Sequence, residues 1–509
     1  MNTVLGLDLG TQGMKAVFYE YRSREVVAAA SSGLEVLRDD NGAAEQLAES
    51  WIDALSDCLE QVPAPVRDSV KAIGVSGQQH GFVAVDGKGE VLAPVKLWCD
   101  TSTQAEADAI TLVCGGRDRC IKLAGNPVLT GYTAPKVLWL KTHRPDLYRQ
   151  LAHILLPHDY LNFVLTGVPS MEFGDASGTA FLDVRGRRWS EELLRAIDPD
   201  RDLKTCLPPL SAAGQFIGET TAAAAAKFRL PAGVPVSTGG GDNMMGAIGT
   251  GNVSPGKLTM SLGSSGTLYA YSDTPVVDPN GNVAAFCSST GGWLPLICTM
   301  NCTLGTELVC QSLDIRIEDF DDVIQRIDPG SDGLITLPFF NGERTPDLPN
   351  AKGCLLGLDS RNFSKGHILR STVEGATYAL RFGLDELTKL GMQSREIILT
   401  GGGANSSAWR QIVADICDLP VTILEQDEGA SFGAALQALW ALQRQSDPSA
   451  TIDAIVAEHL SRDVARCTSP KPRNRGAYSQ GYAAYRRAVE QIAPLYTTRT
   501  TLTRTSSQS

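Results

Sequence analysis

Asp242 lies in "VPVSTGGGDNMMGA", where three glycines strip the backbone of side chains just before one carboxylate. The apolar run ahead of them predicts a buried strand that ends here, presenting Asp242 at its tip with Asn243 next. A carboxylate so placed can act as a weak general base, ionised near neutrality and taking a proton that moves late in a displacement. The same acid could cap the helix predicted for "NMMGAIGTG", and the stretch alone leaves both roles open.

Two glycine turns share one cadence half a chain apart: Leu9-Gly10-Thr11-Gln12-Gly13 and Leu262-Gly263-Ser264-Ser265-Gly266, each between strand-like runs. Such turns aim several backbone N–H groups at one point and suit phosphate oxygens, with Thr11, Ser264 and Ser265 adding hydroxyl donors. Singly, each is also an ordinary hairpin turn; the matched pair favours a nucleoside triphosphate held by both. Asp8 directly precedes the first turn, where its charge becomes tolerable beside phosphate if Mg²⁺ bridges them, or where it simply caps the turn. A third glycine loop, Gly401-Gly402-Gly403-Ala404-Asn405, joins a predicted strand to a predicted helix and would allow close approach of a base or ribose. It carries neither the dinucleotide nor the Walker pattern, and a plain strand-to-helix turn fits it too.

The elements that position these residues can be read around them. "TVLGLDLG", "GMKAVFYEY" and "EVVAAASSG" predict three successive strands, followed by a helix over Leu47 to Leu59 and the strand "VKAIGVSGQ". A helical region near 102–226 reads as insertions around this layer. In the second half, "SKGHILRSTVEGATYALRFGLDELTKLG" predicts a long helix capped by Ser364 and ended by Gly391. It leads into an alternation of strand "EIILT", helix "SSAWRQIVADIC", strand "PVTIL" and helix "GASFGAALQALWALQ". These patterns predict an α/β fold of two domains, which a length of 509 residues also favours.

Composition removes several alternatives. The net charge of −12 and the lack of a dense basic stretch argue against a nucleic-acid partner. No apolar run approaches the ~20 residues of a membrane span, and "MNTVLGLDLG" enters strand-like sequence without a leader pattern; the expected compartment is the cytoplasm. The twelve cysteines are scattered without a CxxC pair and read as free thiols rather than a metal framework.

In order along the chain, "GLDLGTQGMKAV", "GVSGQQHG", "LLPHDYL", "DASGTAFLDV", "GGGDN", "SLGSSGTLYA", "LPFFNGERTP" and "LTGGGANSSAWRQIVAD" resemble the motifs of the FGGY family of carbohydrate kinases, over about Val4 to Leu442. The resemblance implies an actin-like, Hsp70-like ATPase fold: two ribonuclease-H-like domains flanking a cleft that closes on ATP and sugar. It implies an N-terminal domain over 1–248 with the sugar and phosphate/Mg²⁺ site, and a C-terminal nucleotide-binding domain over 249–490. The polar, aperiodic residues 491–509 are expected to be a disordered tail.

Carried onto this sequence, the resemblance makes Asp242 the catalytic base and, with Asp8, a metal site. It places Thr11, Gln12, Gly263, Ser264, Ser265, Gly401, Gly402, Gly403 and Asn405 on ATP. Gln79, His80, Trp98, Asp100, Asp242 and Asn243 fall on the sugar, and "GQQHG" is most similar to members acting on D-xylulose. Ribulose, a deoxy-ketose or glycerol remain the alternatives among substrates, and a non-catalytic actin- or chaperone-like ATP switch the alternative of another class. A homodimer is left open. Two positions depart from the family pattern: Ser102 stands where a basic residue is usual, and His158 where lysine is common.

Overall fold

The computed structural model describes residues 1–426 and 428–497. The three N-terminal runs form β1 (Thr3–Leu9), β2 (Gly13–Glu20) and β3 (Glu25–Gly33), paired antiparallel in sequence order. On the other side of β1, β4 (Val70–Gly77) pairs parallel to it, and β5 (Phe216–Glu219) with β6 (Pro235–Ser237) completes the order β5-β6-β4-β1-β2-β3. The short β7 (Gly240–Gly241) pairs parallel with the end of β4, Gly240 opposite Ser76 and Gly241 opposite Gly77.

Period-two alternation assigns the two faces of this sheet. Leu5, Leu7 and Leu9 of β1 and Ile73 and Val75 of β4 are fully buried in one cluster with Trp51, Leu55 and Leu59 of helix α1 (Ala48–Glu60). Further along the chain, Pro157 opens helix α2 (Pro157–Thr166), and Asp242 is the first residue of helix α3 (Asp242–Gly249). The opposite face of the sheet is covered by helix α4 (Gly429–Ser446), which also packs on α3.

That second face is lined by glycine because α4 lies almost on the backbone. A Cβ at Gly6 would stand 1.8 Å from the Ser431 carbonyl oxygen, and one at Gly74 would stand 2.0 Å from that of Ala434. On α4 itself, a Cβ at Gly433 would meet the Met245 carbonyl oxygen of α3 at 1.7 Å.

Two packing units divide the chain. The first comprises Met1–Lys257, Tyr269–Leu296 and Leu424–Ser461. The second comprises Leu258–Leu268, Ile297–Ile423 and, among the described residues, 462–497. This differs from contiguous domains over 1–248 and 249–490: α4, which reads as the last helix of a C-terminal alternation, packs in the first unit because its small residues fit the glycines of β1 and β4.

The second unit is centred on a sheet with the order β10-β9-β8-β11-β12, formed by β8 (Lys257–Leu262), β9 (Gly266–Ala270), β10 (Leu296–Thr299), β11 (Glu396–Thr400) and β12 (Val421–Thr422). Its long helix Lys365–Lys389 starts where Ser364 caps it, the hydroxyl accepting from the His367 N–H. The tail needs correction. A helix runs from Arg475 to Thr497, so residues 491–497 are helical; Tyr478 and Tyr485 on it are buried, and that packing supplies what local periodicity lacks. Residues 498–509 lie outside the described residues. Among the described residues, no helix is long and apolar enough to cross a membrane.

Replacing Gly433 or Gly6 by alanine should lower stability by about 3 kcal/mol through overpacking against backbone. Gly476→Ala, where a methyl meets nothing within 4 Å, should stay within about 1 kcal/mol. Thermal-unfolding midpoints of the three variants check this.

Candidate active site

Three parallel strands end side by side at the site: β1 one residue past Asp8, β4 one residue past Ser76 and β7 just before Asp242. Asp8 and Ser76 are direct neighbours in register, and the Ser76 hydroxyl donates to Asp8 Oδ1 at 2.6 Å. Carboxyl ends of parallel strands are the usual ligand-facing edge of an α/β sheet. Gly241, which has no side chain, holds the cap position of α3, and Asp242 Oδ1 accepts from the Asn243 backbone N–H at 2.7 Å and its side-chain amide at 2.9 Å.

Each of the three glycines before Asp242 answers to a different close approach. Gly239 has φ 68°, and a Cβ there would lie 2.3 Å from the Val75 carbonyl oxygen. At Gly240 it would meet Ser289 Oγ at 2.5 Å, and at Gly241 Gln79 Cγ at 2.7 Å. Gln437, fully buried on α4, clips the same segment: its Oε1 accepts from Gly239 N–H at 2.8 Å and Ser237 Oγ at 3.0 Å, and its Nε2 donates to the Gly239 carbonyl at 2.9 Å.

The surroundings of Asp242 favour its neutral form. Loss of solvation, then the nearby Asp8 charge, push its pKa up to about 7, against hydrogen bonds from Asn243. Burial likewise raises Asp8, opposed by Ser76 and the Lys15 charge. Among the described residues no group of three or more His, Cys, Asp or Glu side chains is placed to hold a metal. Mg²⁺ needs no such cage, since it is commonly held by one or two carboxylates together with phosphate and water. Two mutually repelling carboxylates fit that donor set.

Gln79 and Asn243 extend the acid's network. The Asn243 amide donates to Gln79 Oε1 at 3.0 Å, and the Gln79 amide faces Met244 Sδ at 3.4 Å. His80 has φ 67°, uncommon for a residue with a side chain. Its Nδ1 lies 2.9 Å from the Gly178 carbonyl oxygen, which can only accept, so Nδ1 carries a proton. A Cβ at Gly178 would stand 2.1 Å from Nδ1, which accounts for the glycine in "DASGT". The strained backbone is held from behind, where the His80 carbonyl accepts from the buried Lys136 ammonium at 2.9 Å and from Thr133 Oγ1 at 3.2 Å.

Trp98 and Thr11 come together: the indole N–H donates to Thr11 Oγ1 at 2.9 Å, and that hydroxyl donates to Gln78 Oε1 at 2.9 Å. Gln12, next in the turn, is exposed. Asp100 is fully buried, and its four hydrogen bonds all come from protein: Ser102 N–H and Oγ on one oxygen, Ala44 N–H and Lys96 Nζ on the other. Its carboxylate therefore organises the loop rather than facing outward. Lys96 Nζ also lies 3.0 Å from Ser102 Oγ and 2.9 Å from Glu45, so a cation stands beside Ser102.

In the second unit, the turn Gly263–Ser264–Ser265 connects β8 to β9. Its Gly263 and Ser264 carbonyls accept from Thr303 N–H and Cys302 N–H, both at 2.9 Å, at the start of the helix Thr303–Ser312. The Gly401 loop crosses the end of β8, where a Cβ at Gly401 (φ 85°) would stand 2.7 Å from the Leu262 backbone. Gly402 and Gly403 with Asn405 line a cavity of about 530 Å³ together with Thr306, Phe320 and Trp409. A Cβ at Gly402 would meet nothing within 4 Å, and the Phe320 and Trp409 rings lie stacked with centroids 6.1 Å apart.

Sequence reasoning missed Gln437, Ser76, Lys136 and Gly178. A lone glutamine inside the apolar run "GAALQALWAL" was the available signal for Gln437, since a buried amide must find partners. Lys136 within "APKVLWL" carried the same kind of signal.

The chain matches family models of the N-terminal domain of FGGY carbohydrate kinases over residues 3–249 and of the C-terminal domain over residues 258–442. It is 44% identical over 444 residues to a xylulose kinase of Haemophilus influenzae, covering 86% of this chain and 90% of that protein. To a xylulose kinase of Escherichia coli it is 32% identical over 499 residues, covering 96% and 99%. A crystal structure of a xylulose kinase from Brucella ovis superposes with a TM-score of 0.89 at 30% identity, over 97% of this chain and all of that one. These matches, with the paired glycine turns and the acid at the strand ends, show that the chain belongs to the FGGY family of carbohydrate kinases and has their two-domain, actin-like ATPase fold.

Proposed function

We propose that the protein transfers the γ-phosphoryl group of ATP to the C5 hydroxyl of D-xylulose, giving D-xylulose 5-phosphate and ADP in the cytoplasm. The observation that carries the reading is the hydrogen-bonded row Gln79–Asn243–Asp242, which links residues matched to a sugar pocket with a carboxylate at the strand ends. The sugar itself rests on the relatives, which are xylulose kinases over most of their length.

In this reading Asp242 accepts the hydroxyl proton as the sugar oxygen attacks the γ-phosphorus and the bond to ADP breaks. A pKa near 7 makes it a stronger base than an ordinary carboxylate while leaving much of it ionised at neutral pH. His80 and Gln79 orient the substrate hydroxyls, since imidazole and amide both donate and accept. The turns at Thr11–Gln12 and Gly263–Ser265 bind phosphate oxygens, and the cavity beside Gly402 and Asn405 takes the nucleoside. Mg²⁺, held by Asp8 and Asp242 with phosphate oxygens, would offset their charge and that of the phosphates.

Three measurements test this. Asp242→Asn should lower kcat roughly a thousandfold and leave the unfolding temperature unchanged or higher. A carboxyl whose pKa is raised on folding destabilises the fold once it ionises, and does not do so below the ordinary carboxylate range. An active variant would remove Asp242 as the base. Asp8→Asn should raise the Mg²⁺ concentration for half-maximal rate about tenfold, near 1.4 kcal/mol of lost metal binding, read from a Mg²⁺ titration at fixed ATP. ADP release with Mg-ATP should respond strongly to D-xylulose and weakly to ribulose, glycerol or no sugar; turnover indifferent to every sugar would favour an ATP switch.

A further inference from the structure

Behind the segment that carries Asp242, four ionisable side chains pack together out of solvent. His158 and Asp159 lie at the start of α2, and Glu172 and Asp175 belong to "MEFGDASGT". None of the four is more than 3% exposed. His158 Nδ1 is 2.6 Å from Asp175 Oδ2, and Nε2 is 3.0 Å from Asp159 Oδ1. Nδ1 is hydrogen-bonded to Asp175, whereas Nε2 and Asp159 Oδ1 lie close without the alignment of a hydrogen bond, so two carboxyl groups stand within 3.0 Å of the buried ring.

The cluster touches the strand end directly. A Cβ at Gly239 would meet His158 Cδ2 at 3.2 Å, one at Gly240 would meet Glu172 Oε1 at 3.2 Å, and one at Gly77 would meet the His158 backbone N at 2.8 Å. One turn further along α2, the Asn162 amide donates to the Thr238 carbonyl at 3.0 Å. Helix α2 therefore grips the two residues that lead into the glycine strand, through His158 at its first turn and Asn162 at its second.

We propose that His158, as an imidazolium held between Asp159 and Asp175, is a positioning residue for Asp242. It supplies a buried positive charge behind the strand end and fixes that end against α2. The inference rests on Asp242 being the base. The groups around the ring are Asp159 from α2, Asp175 and Glu172 from the segment before "SGT", and uncharged Gly77 and Gly239 from the sheet; Gln437 of α4, which clips Gly239, is neutral. Burial alone would push the His158 pKa down, but Asp159, Asp175 and Glu172 outweigh it and raise it to about 9, while burial raises Asp159 to about 8 and Glu172 to about 7. The charge is therefore complete below the ordinary histidine value near 6.5 and is lost as pH rises through about 9. A lysine, common here in the family, would keep it to higher pH.

The test combines two variants of the full-length protein with ¹⁵N NMR of the imidazole rings. At pH 7.5 both His158 nitrogens should appear protonated, the signal being assigned among the six histidines by its loss in His158→Gln. The wild-type kcat should fall as pH rises through about 9, and His158→Lys should retain kcat within about threefold and shift that fall upward. His158→Gln should lower kcat roughly tenfold to a hundredfold while sugar and ATP KM values move less than about threefold. A neutral wild-type ring at pH 7.5, or a His158→Gln enzyme with wild-type kcat and alkaline profile, would overturn the proposal. Full activity of Asp242→Asn would instead overturn the base assignment, and the ring's protonation state tells the two failures apart.

Discussion

The site end of the first unit depends on how closely helix α4 approaches the sheet beneath it. Glycines at 6, 74 and 433 let backbone meet backbone where any side chain would collide. At that distance the Gln437 amide can reach the Gly239 peptide from both sides and use both its donor and its acceptor. Larger residues would lift the helix, and a lifted helix would leave a buried amide without partners and the strand end unclamped. Packing and polar satisfaction are here one constraint.

Electrostatics follows from the same geometry. Parallel strands in register bring Asp8 beside Ser76 and put Asp242 one step past Gly241, so two acids share one edge of the sheet. Poor solvation raises both pKa values, and the Asp8 charge adds to the rise at Asp242. Such an edge is costly when empty and favourable to a bound cation, and the cost is met by the rigid frame rather than by the acids' own hydrogen bonds. The frame of His80 shows the same pattern, a strained residue held by Lys136, Thr133 and Gly178.

Much of this was legible in the sequence because it is local. The two L-G-[ST]-x-G turns sit between strands as expected, the first three strands pair in order, and Ser364 caps its helix. What stayed hidden is long-range. Nothing near "GASFGAALQALWALQ" says that this helix covers β1 rather than the sheet it follows in the chain, and nothing near Asp100 says that four protein donors will saturate it. The C-terminal residues through Thr497 are helical because buried tyrosines hold that helix, a tertiary effect that polar composition conceals.

The discontinuity of the first unit also sets an order of events during synthesis. Tyr19 of β2 and His459, whose side chains lie 2.8 Å apart, are separated by 440 residues of chain. A nascent chain that has released only its first 257 residues exposes the glycine-lined face of β1 and β4, because α4 has not yet been made. The glycine-lined face of the N-terminal sheet therefore has no covering helix until translation has passed Ser446. Closure of the first unit by α4 joins segments far apart in the chain, the kind of non-local contact that forms slowly.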